Sequence, residues 1–337
     1  MLGVDRDAID IFNQVLHRDP NTPCALVGRA LVNLNLAKVK APLTDLNRLL
    51  ALDSSNKGFY YDLEAQYFEK HAELTSALAL RKQLAQKNVG NASAWFDLGN
   101  VYRRMNRYKD AVRSYKKASE LDPANANYRE HIAFAYLLLG KSEKQPQMKK
   151  DVFEKAAREI DEGFKLQFQS VSLHEDRVWL CLLNKECDSP TNALAALDEI
   201  NRTMKLAPKE ACAYSLRSDV YERLGRWDEA IDDANTAANL QPDESDAKRL
   251  SSLKKGKKAW VDFLAAIQTA ISKDPRNPEL FVAQAKALVS LGRPAEGLER
   301  YKQALRLLTP EKPGDRLLLR VKQGIALLEA DPRVKNN

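Results

Sequence analysis

Prolines recur in the second half of this chain at an almost fixed stride. Pro208, Pro242, Pro275 and Pro310 are separated by 34, 33 and 35 residues, and Pro20 lies 103 residues before Pro123, three strides plus one. A proline stops a helix, because it lacks the backbone N–H and its ring collides with the preceding turn. A stop repeated at that interval implies a repeated unit too short to bury a core alone, which must lean on its neighbours. The gap from Pro123 to Pro208 is 85 residues, two strides plus 17. The surplus is expected in two inter-helix turns, about eleven residues in KSEKQPQMKK after Gly140 and about six around KECDSP.

The stretch NASAWFDLGNVYRRMNRYKDAVRSYKKASELDPANANYR, residues 91–129, displays the unit most fully. Trp95, Leu98, Gly99 and Tyr102 fall on one face of a first helix. After Asn106, Ala111, Tyr115, Ala118 and Leu121 mark a second helix, which Asp122-Pro123 ends. The small residues Gly99, Ala111 and Ala118 permit close helix packing, and the aromatics fill the space around them. The plan returns at Tyr214, Ser218, Tyr221, Gly225, Trp227, Ala230, Ala234, Ala237 and Pro242.

This pattern resembles the tetratricopeptide repeat (TPR) family, W-x2-L-G-x2-Y, then A-x3-F, then P, over about 34 residues. The 92–125 unit matches with Tyr115 for Phe, and the 211–244 unit matches except at Arg217 and Ala234. Degenerate units are expected at 23–56, 57–91, 126–170, 171–210, 245–277 and 278–311, about eight units over 23–311. Residues 1–22, with Asp7 to Pro20 as a second helix lacking its partner, suggest an incomplete first repeat and a longer array. Residues 312–337 hold a capping helix, 314–329, and a tail. The resemblance implies an all-α, right-handed superhelical solenoid of antiparallel helix pairs with a concave groove.

Composition sets the remaining bounds. Of 337 residues 44% are hydrophobic and 29% charged, with 13 Gly and 14 Pro, which leaves room for long helices. No window approaches the ~18 consecutive apolar residues of a membrane span, and MLGVDRDAID lacks the features of a secretory signal. Cys24, Cys181, Cys187 and Cys212 form no CxxC pair, so buried reduced thiols and a cytoplasmic, reducing location are expected. His17, His71, His131 and His174 fall in different units, and no nucleophile elbow, P-loop, HExxH or calcium loop occurs. The chain is therefore expected to be no enzyme and to use no cofactor or metal.

In TPR proteins the first helix of each unit lines the groove that holds a peptide or partner helix. Carried onto this chain, the lining residues are Phe96, Asn100, Arg103 and Arg104, then Ser215, Asp219, Glu222 and Arg223. Asn100 suits a peptide backbone, and either arginine suits carboxylates. The carboxylate clamp that co-chaperone members place on chaperone tails is broken. Phe96 replaces its lysine, His131 its second asparagine, and Ser172 and Asp176 its last basic pair. The second candidate surface is AKRLSSLKKGKKAW, with Lys248, Arg249, Lys254, Lys255, Lys257 and Lys258 inside eleven residues. Gly256 interrupts it, so Lys254 to Lys258 is expected to form a turn. Trp260 belongs to an apolar stripe continued by Phe263, Ile267 and Ala270. The expected role is a scaffold that holds another protein or peptide. The alternatives are a polyanion or nucleic-acid binder seated on the basic turn and the targeting arm of a larger protein.

Overall fold

Each of Pro123, Pro208, Pro242 and Pro275 leaves the same imprint on its predecessor. Asp122, Ala207, Gln241 and Asp274 have φ of −138°, −136°, −145° and −136°, outside the helical region, because proline Cδ crowds the preceding backbone. In this computed structural model each proline ends a helix. The structure describes residues 2–35, 41–53, 55–185, 189–243, 245–308 and 316–335. Within them all regular structure is helical and no strand occurs.

The helices are α1 (Leu2–Arg18), α2 (Pro23–Asn35), α3 (Ala41–Leu52), α4 (Lys57–Lys70), α5 (Leu74–Lys87), α6 (Ala92–Arg104), α7 (Tyr108–Leu121) and α8 (Ala126–Ser142). Then come α9 (Pro146–Leu166), α10 (Val171–Leu183), α11 (Pro190–Leu206), α12 (Ala211–Arg223), α13 (Trp227–Leu240), α14 (Asp246–Lys273), α15 (Pro278–Ser290), α16 (Pro294–Leu307), α17 (Arg316–Glu329) and α18 (Pro332–Lys335). They divide into two compact units, one of residues 1–144 and 161–166, the other of 145–160 and 167–337.

Side-chain caps begin several first helices. Asn91, Asn125 and Asn277 accept from the backbone N–H two residues on, at 3.0, 3.2 and 3.0 Å, and Ser170 accepts from Leu173 N–H. The three-residue turn inside a pair is equally regular. Ala72, Asn106, Gly225 and Gly292 take φ of 59°, 58°, 72° and 73°. The next residue donates its N–H five positions back: Glu73 to Phe68, Arg107 to Tyr102, Arg226 to Tyr221 and Arg293 to Leu288, at 2.8–2.9 Å. This closure satisfies helix-end carbonyls that would otherwise be orphaned. So short a link forces the two helices to run antiparallel as neighbours.

Cores sit between and beneath the pairs. In the first unit Leu26, Leu46, Leu49, Tyr60 and Tyr67 join one cluster, while Tyr61 and Phe68 are only partly buried. In the second unit Val178, Ala193, Ile200, Leu216 and Val220 form another, and Phe281, Leu298, Tyr301 and Val321 a third.

Four features depart from the sequence expectations. The 245–277 stretch is not a helix pair with a turn at Lys254 to Lys258. It is the single 28-residue helix α14. Gly256 does not break it, because that glycine is where Trp227 packs: a Cβ there would lie 2.8 Å from the indole ring. The surplus after Gly140 is absorbed by lengthening, with only residues 143–145 between α8 and the 21-residue α9. Cys181 is disulfide-bonded rather than reduced, whereas Cys24 and Cys212 are free. Cys24 is also exposed rather than buried. Cys187, part of KECDSP, and Pro310 lie outside the described residues.

Candidate functional site

Helix α6 divides its residues between two duties. Leu98, Gly99, Val101 and Tyr102 are buried. Gly99 has no substitute there, since a Cβ would meet the Tyr115 ring at 2.5 Å. Phe96, Asn100 and Arg103 lie along the edge of that face and are half-buried. Phe96 meets Tyr115, Tyr128 and His131, with ring centroids 5.5, 5.4 and 4.7 Å apart. Asn100 accepts a 2.8 Å hydrogen bond from the Tyr115 hydroxyl, a phenol that burial pushes up to about 12. His131 is held below the ordinary histidine value by burial, and the nearby Arg103 charge adds to the shift.

Arg103 stacks over Phe134 of α8 at 5.8 Å, and its Nε is buried without a hydrogen-bond partner. Its neighbours are engaged. Arg104 turns toward α4, donating to the Glu69 carbonyl at 2.6 Å and lying 3.9 Å from that side chain's carboxylate. Arg107 pairs with Asp110 at 2.7 Å. Arg81 of α5, only 5% exposed, sits among three carboxylates, pairing with Asp62, with Glu69 at 2.7 Å and with Asp97 at 3.4 Å. Burial raises the Asp97 carboxyl and Arg81 opposes that shift. Sequence patterning misses this cluster, because Arg81 looks like any second-helix cation until α4, α5 and α6 are packed.

The second expected lining is placed differently. Ser215 is exposed, and Arg223 donates to the Leu182 carbonyl at 3.0 Å. Asp219 and Glu222 both hold Arg249, at 2.5 and 2.8 Å. Burial raises the Asp219 carboxyl, and Arg249 pulls it back. Thus part of the acidic lining and part of the basic run neutralise one another. Lys257 is likewise paired, with Asp228 at 2.5 Å. Lys248, Lys254, Lys255 and Lys258 remain exposed, and helical spacing puts them on one face of α14. Of the residues weighed for a chaperone clamp, His131 is in the aromatic cluster, Ser172 is exposed and Asp176 is buried.

Capped helix pairs, left-handed turns and small-residue seams define an α-solenoid of the class built from stacked helical repeats. The TPR repeat family profile matches residues 91–140. Anaphase-promoting complex subunit 3 of Schizosaccharomyces pombe is 23% identical over 195 residues, covering 58% of this chain and 27% of that protein. The chain thus spans about a quarter of its curated relative's length. Two solved structures share the fold. A thermophilic TPR protein of Thermus thermophilus is 17% identical, with a TM-score of 0.50 over 58% of this chain and 98% of that one. The C-terminal part of a TPR repeat-containing protein from Cytophaga hutchinsonii is 13% identical, with a TM-score of 0.52 over 73% and 94%. Residues 91–140 thus match the TPR repeat family, whose members generally mediate protein–protein interaction, and the chain shares the all-helical fold of TPR proteins; these matches indicate no enzymatic family. No helix among the described residues is long and apolar enough to cross a membrane.

Proposed function

We propose that this protein is a non-catalytic scaffold that holds a segment of a partner protein against the face shared by α6 and α8. Arg103 carries the proposal. It lies half-buried over Phe134 with no carboxylate partner among the described residues, while Arg81, Arg104 and Arg107 around it are all paired. A buried guanidinium edge with an unused N–H favours a ligand that brings a carboxylate or carbonyl. Phe96, His131 and Phe134 supply the apolar surface beside it. The yeast relative, a complex subunit by name, lends support to protein partners. A polyanion is the weaker alternative, since Arg249 and Lys257 already hold carboxylates.

The test compares partners co-purified with the wild-type chain, with Arg103→Ala and with Arg104→Ala. Calorimetry then measures the affinity of each purified partner. Arg103→Ala should weaken binding about tenfold or more, a cost of roughly 1.4 kcal/mol. Arg104→Ala should leave it near the wild-type value. Equal affinity for the wild type and Arg103→Ala sinks the proposal.

A further inference from the structure

The turns of two helix pairs in the second unit meet tip to tip. A Cβ on Gly225, between α12 and α13, would lie 2.4 Å from the backbone N of Gly292. One on Gly292, between α15 and α16, would lie 3.0 Å from the Gly225 carbonyl oxygen. The turn itself does not demand glycine, since Ala72 and Asn106 take the same left-handed φ in the first unit. Glycine stands at the two turns that touch, where a side chain would hold the tips apart.

Trp227 ties three helices together at this joint. It begins α13, its ring packs on Gly256 of α14, and its Nε1–H donates to the Ser290 carbonyl at the end of α15 at 2.8 Å. Leu253 and Leu291 pack beside it. Gly256 is the one glycine of α14, the helix that connects the two pairs. Glycine is among the places where a helix bends most readily.

The C-terminal strap crosses the same joint. Val334 of α18 packs into the core of α15, α16 and α17. Arg333, however, donates through Nη1 to the Leu224 carbonyl, 109 residues earlier, at 2.8 Å. Leu224 caps the end of α12 and is buried, so its carbonyl needs a partner from the protein. Asp331 is 1% exposed and grips the guanidinium, accepting from Nε at 3.1 Å and from Nη2 at 2.7 Å. A cleft of about 440 Å3 beside the joint is lined by Arg226, Lys257 and Arg333. They pair with Glu229, Asp228 and Asp331 in turn, so none of the three is left to draw in an anion.

We propose that residues 331–335 form a latch and Gly256 the hinge it controls. With Arg333 on Leu224 the joint is shut. With the strap lifted, the 211–240 and 278–307 pairs swing apart about α14, a hinge motion that a few residues absorb. The strap is moored on one pair by Val334 and bonded to the other by the Arg333 guanidinium, so it can let go of the second without opening either core. A factor that captures the strap would therefore change how the two pairs are arranged. This device lies in the second unit and uses no residue of the α6–α8 face, so it stands or falls apart from the scaffold reading.

Hydrogen exchange of the whole chain, read by mass spectrometry on peptides from 220–230, 250–260 and 286–294, tests the latch. Arg333→Ala should speed exchange in all three about tenfold, the factor for losing one charge-assisted hydrogen bond across a joint that opens as a whole. Gly256→Ala, which drives a Cβ into the Trp227 ring, should speed the 220–230 and 286–294 peptides as well. Lys322→Ala, at an exposed position on α17, should leave every peptide at its wild-type rate. Thermal melts check folding. Arg333→Lys, which keeps the charge but not the fork that Asp331 grips, replaces Arg333→Ala if that variant unfolds. Faster exchange confined to 331–335 and Leu224 would reveal a local bond only and overturns the latch. Unchanged exchange in 286–294 or in 250–260 does the same, because the first means that the tips never part and the second that α14 does not flex.

Discussion

Arg217 on α12 and Asp233 on α13 form a two-pronged ion pair, with Nε and Nη2 2.6 and 2.8 Å from the two carboxylate oxygens. Arg29 and Asp45 repeat it in α2 and α3, at 2.8 and 2.6 Å. Both arginines also donate to an asparagine 16 residues earlier, Asn201 and Asn13. Arg217 stands where the TPR pattern has leucine, so this departure from the pattern is matched by a dedicated acceptor. Asp233 is nearly inaccessible. Asp233→Ala should therefore destabilise the protein by about 2–4 kcal/mol, because it strands a partly buried guanidinium. Arg217→Leu/Asp233→Ala should recover most of that loss. Urea unfolding of the two variants checks the order; a double variant no better than the single one refutes the compensation.

Gly99→Ala should cost stability although alanine is the better helix former by about 1 kcal/mol. The added Cβ would fall 2.5 Å from ring carbons of Tyr115, which is fully buried and anchored through its hydroxyl to Asn100. Overpacking of this kind costs about 1–3 kcal/mol, so the net effect is a lower Tm. Gly28→Ala faces the Phe12 ring at 2.3 Å, but Phe12 is only half-buried and can swing aside. It should lower the Tm less than Gly99→Ala does, and a reversed order in calorimetry would count against the packing account.

Helix limits are legible in the sequence where the signal is local. Proline acts on the residue before it, a capping asparagine on the N–H two ahead, and a glycine such as Gly225 on its own φ. Apolar spacing likewise places Leu98, Ala111 and Tyr115 in the core. What is not legible depends on contacts between distant residues. Gly256 reads as a break among lysines, yet its role is set by Trp227, 29 positions away. Asp219 and Arg249 read as two separate surfaces because their charges meet only once α12 and α14 pack. The Arg103 environment is half legible: its place on the α6 edge follows from the repeat, but its stacking on Phe134 needs α8.

The unbroken course of α14 is testable with Lys255→Pro at an exposed position. In a turn this change would be tolerated, since no ladder hydrogen bond would be lost. Inside a helix it removes an N–H and clashes with the turn before, costing about 3 kcal/mol. Leu253 is fully buried against the Trp227 cluster just before the substituted position, so the helix cannot bend there without losing that packing. Lys255→Ala is the control and should melt at or above the wild-type temperature. A Lys255→Pro variant that melts with the wild type would contradict a continuous helix.

Glu175 on α10 gives the second unit a stability that declines toward alkaline pH. Burial pushes its carboxyl up to about 7, only partly opposed by a hydrogen bond from the Cys212 thiol, and its Oε1 is buried without a partner. The same burial pushes Cys212 up to about 12, so the thiol stays protonated as the donor. Between the unfolded carboxyl's ordinary value, near 4.3, and about 7 the folded state holds a proton that the unfolded state has lost. Stability therefore falls as pH rises through that window and levels off above it. Glu175→Gln keeps the shape and removes the charge, so it should raise the Tm at about pH 8 and flatten the Tm–pH profile from about pH 5 to 8. A profile as steep in Glu175→Gln as in the wild type would assign the slope to another group.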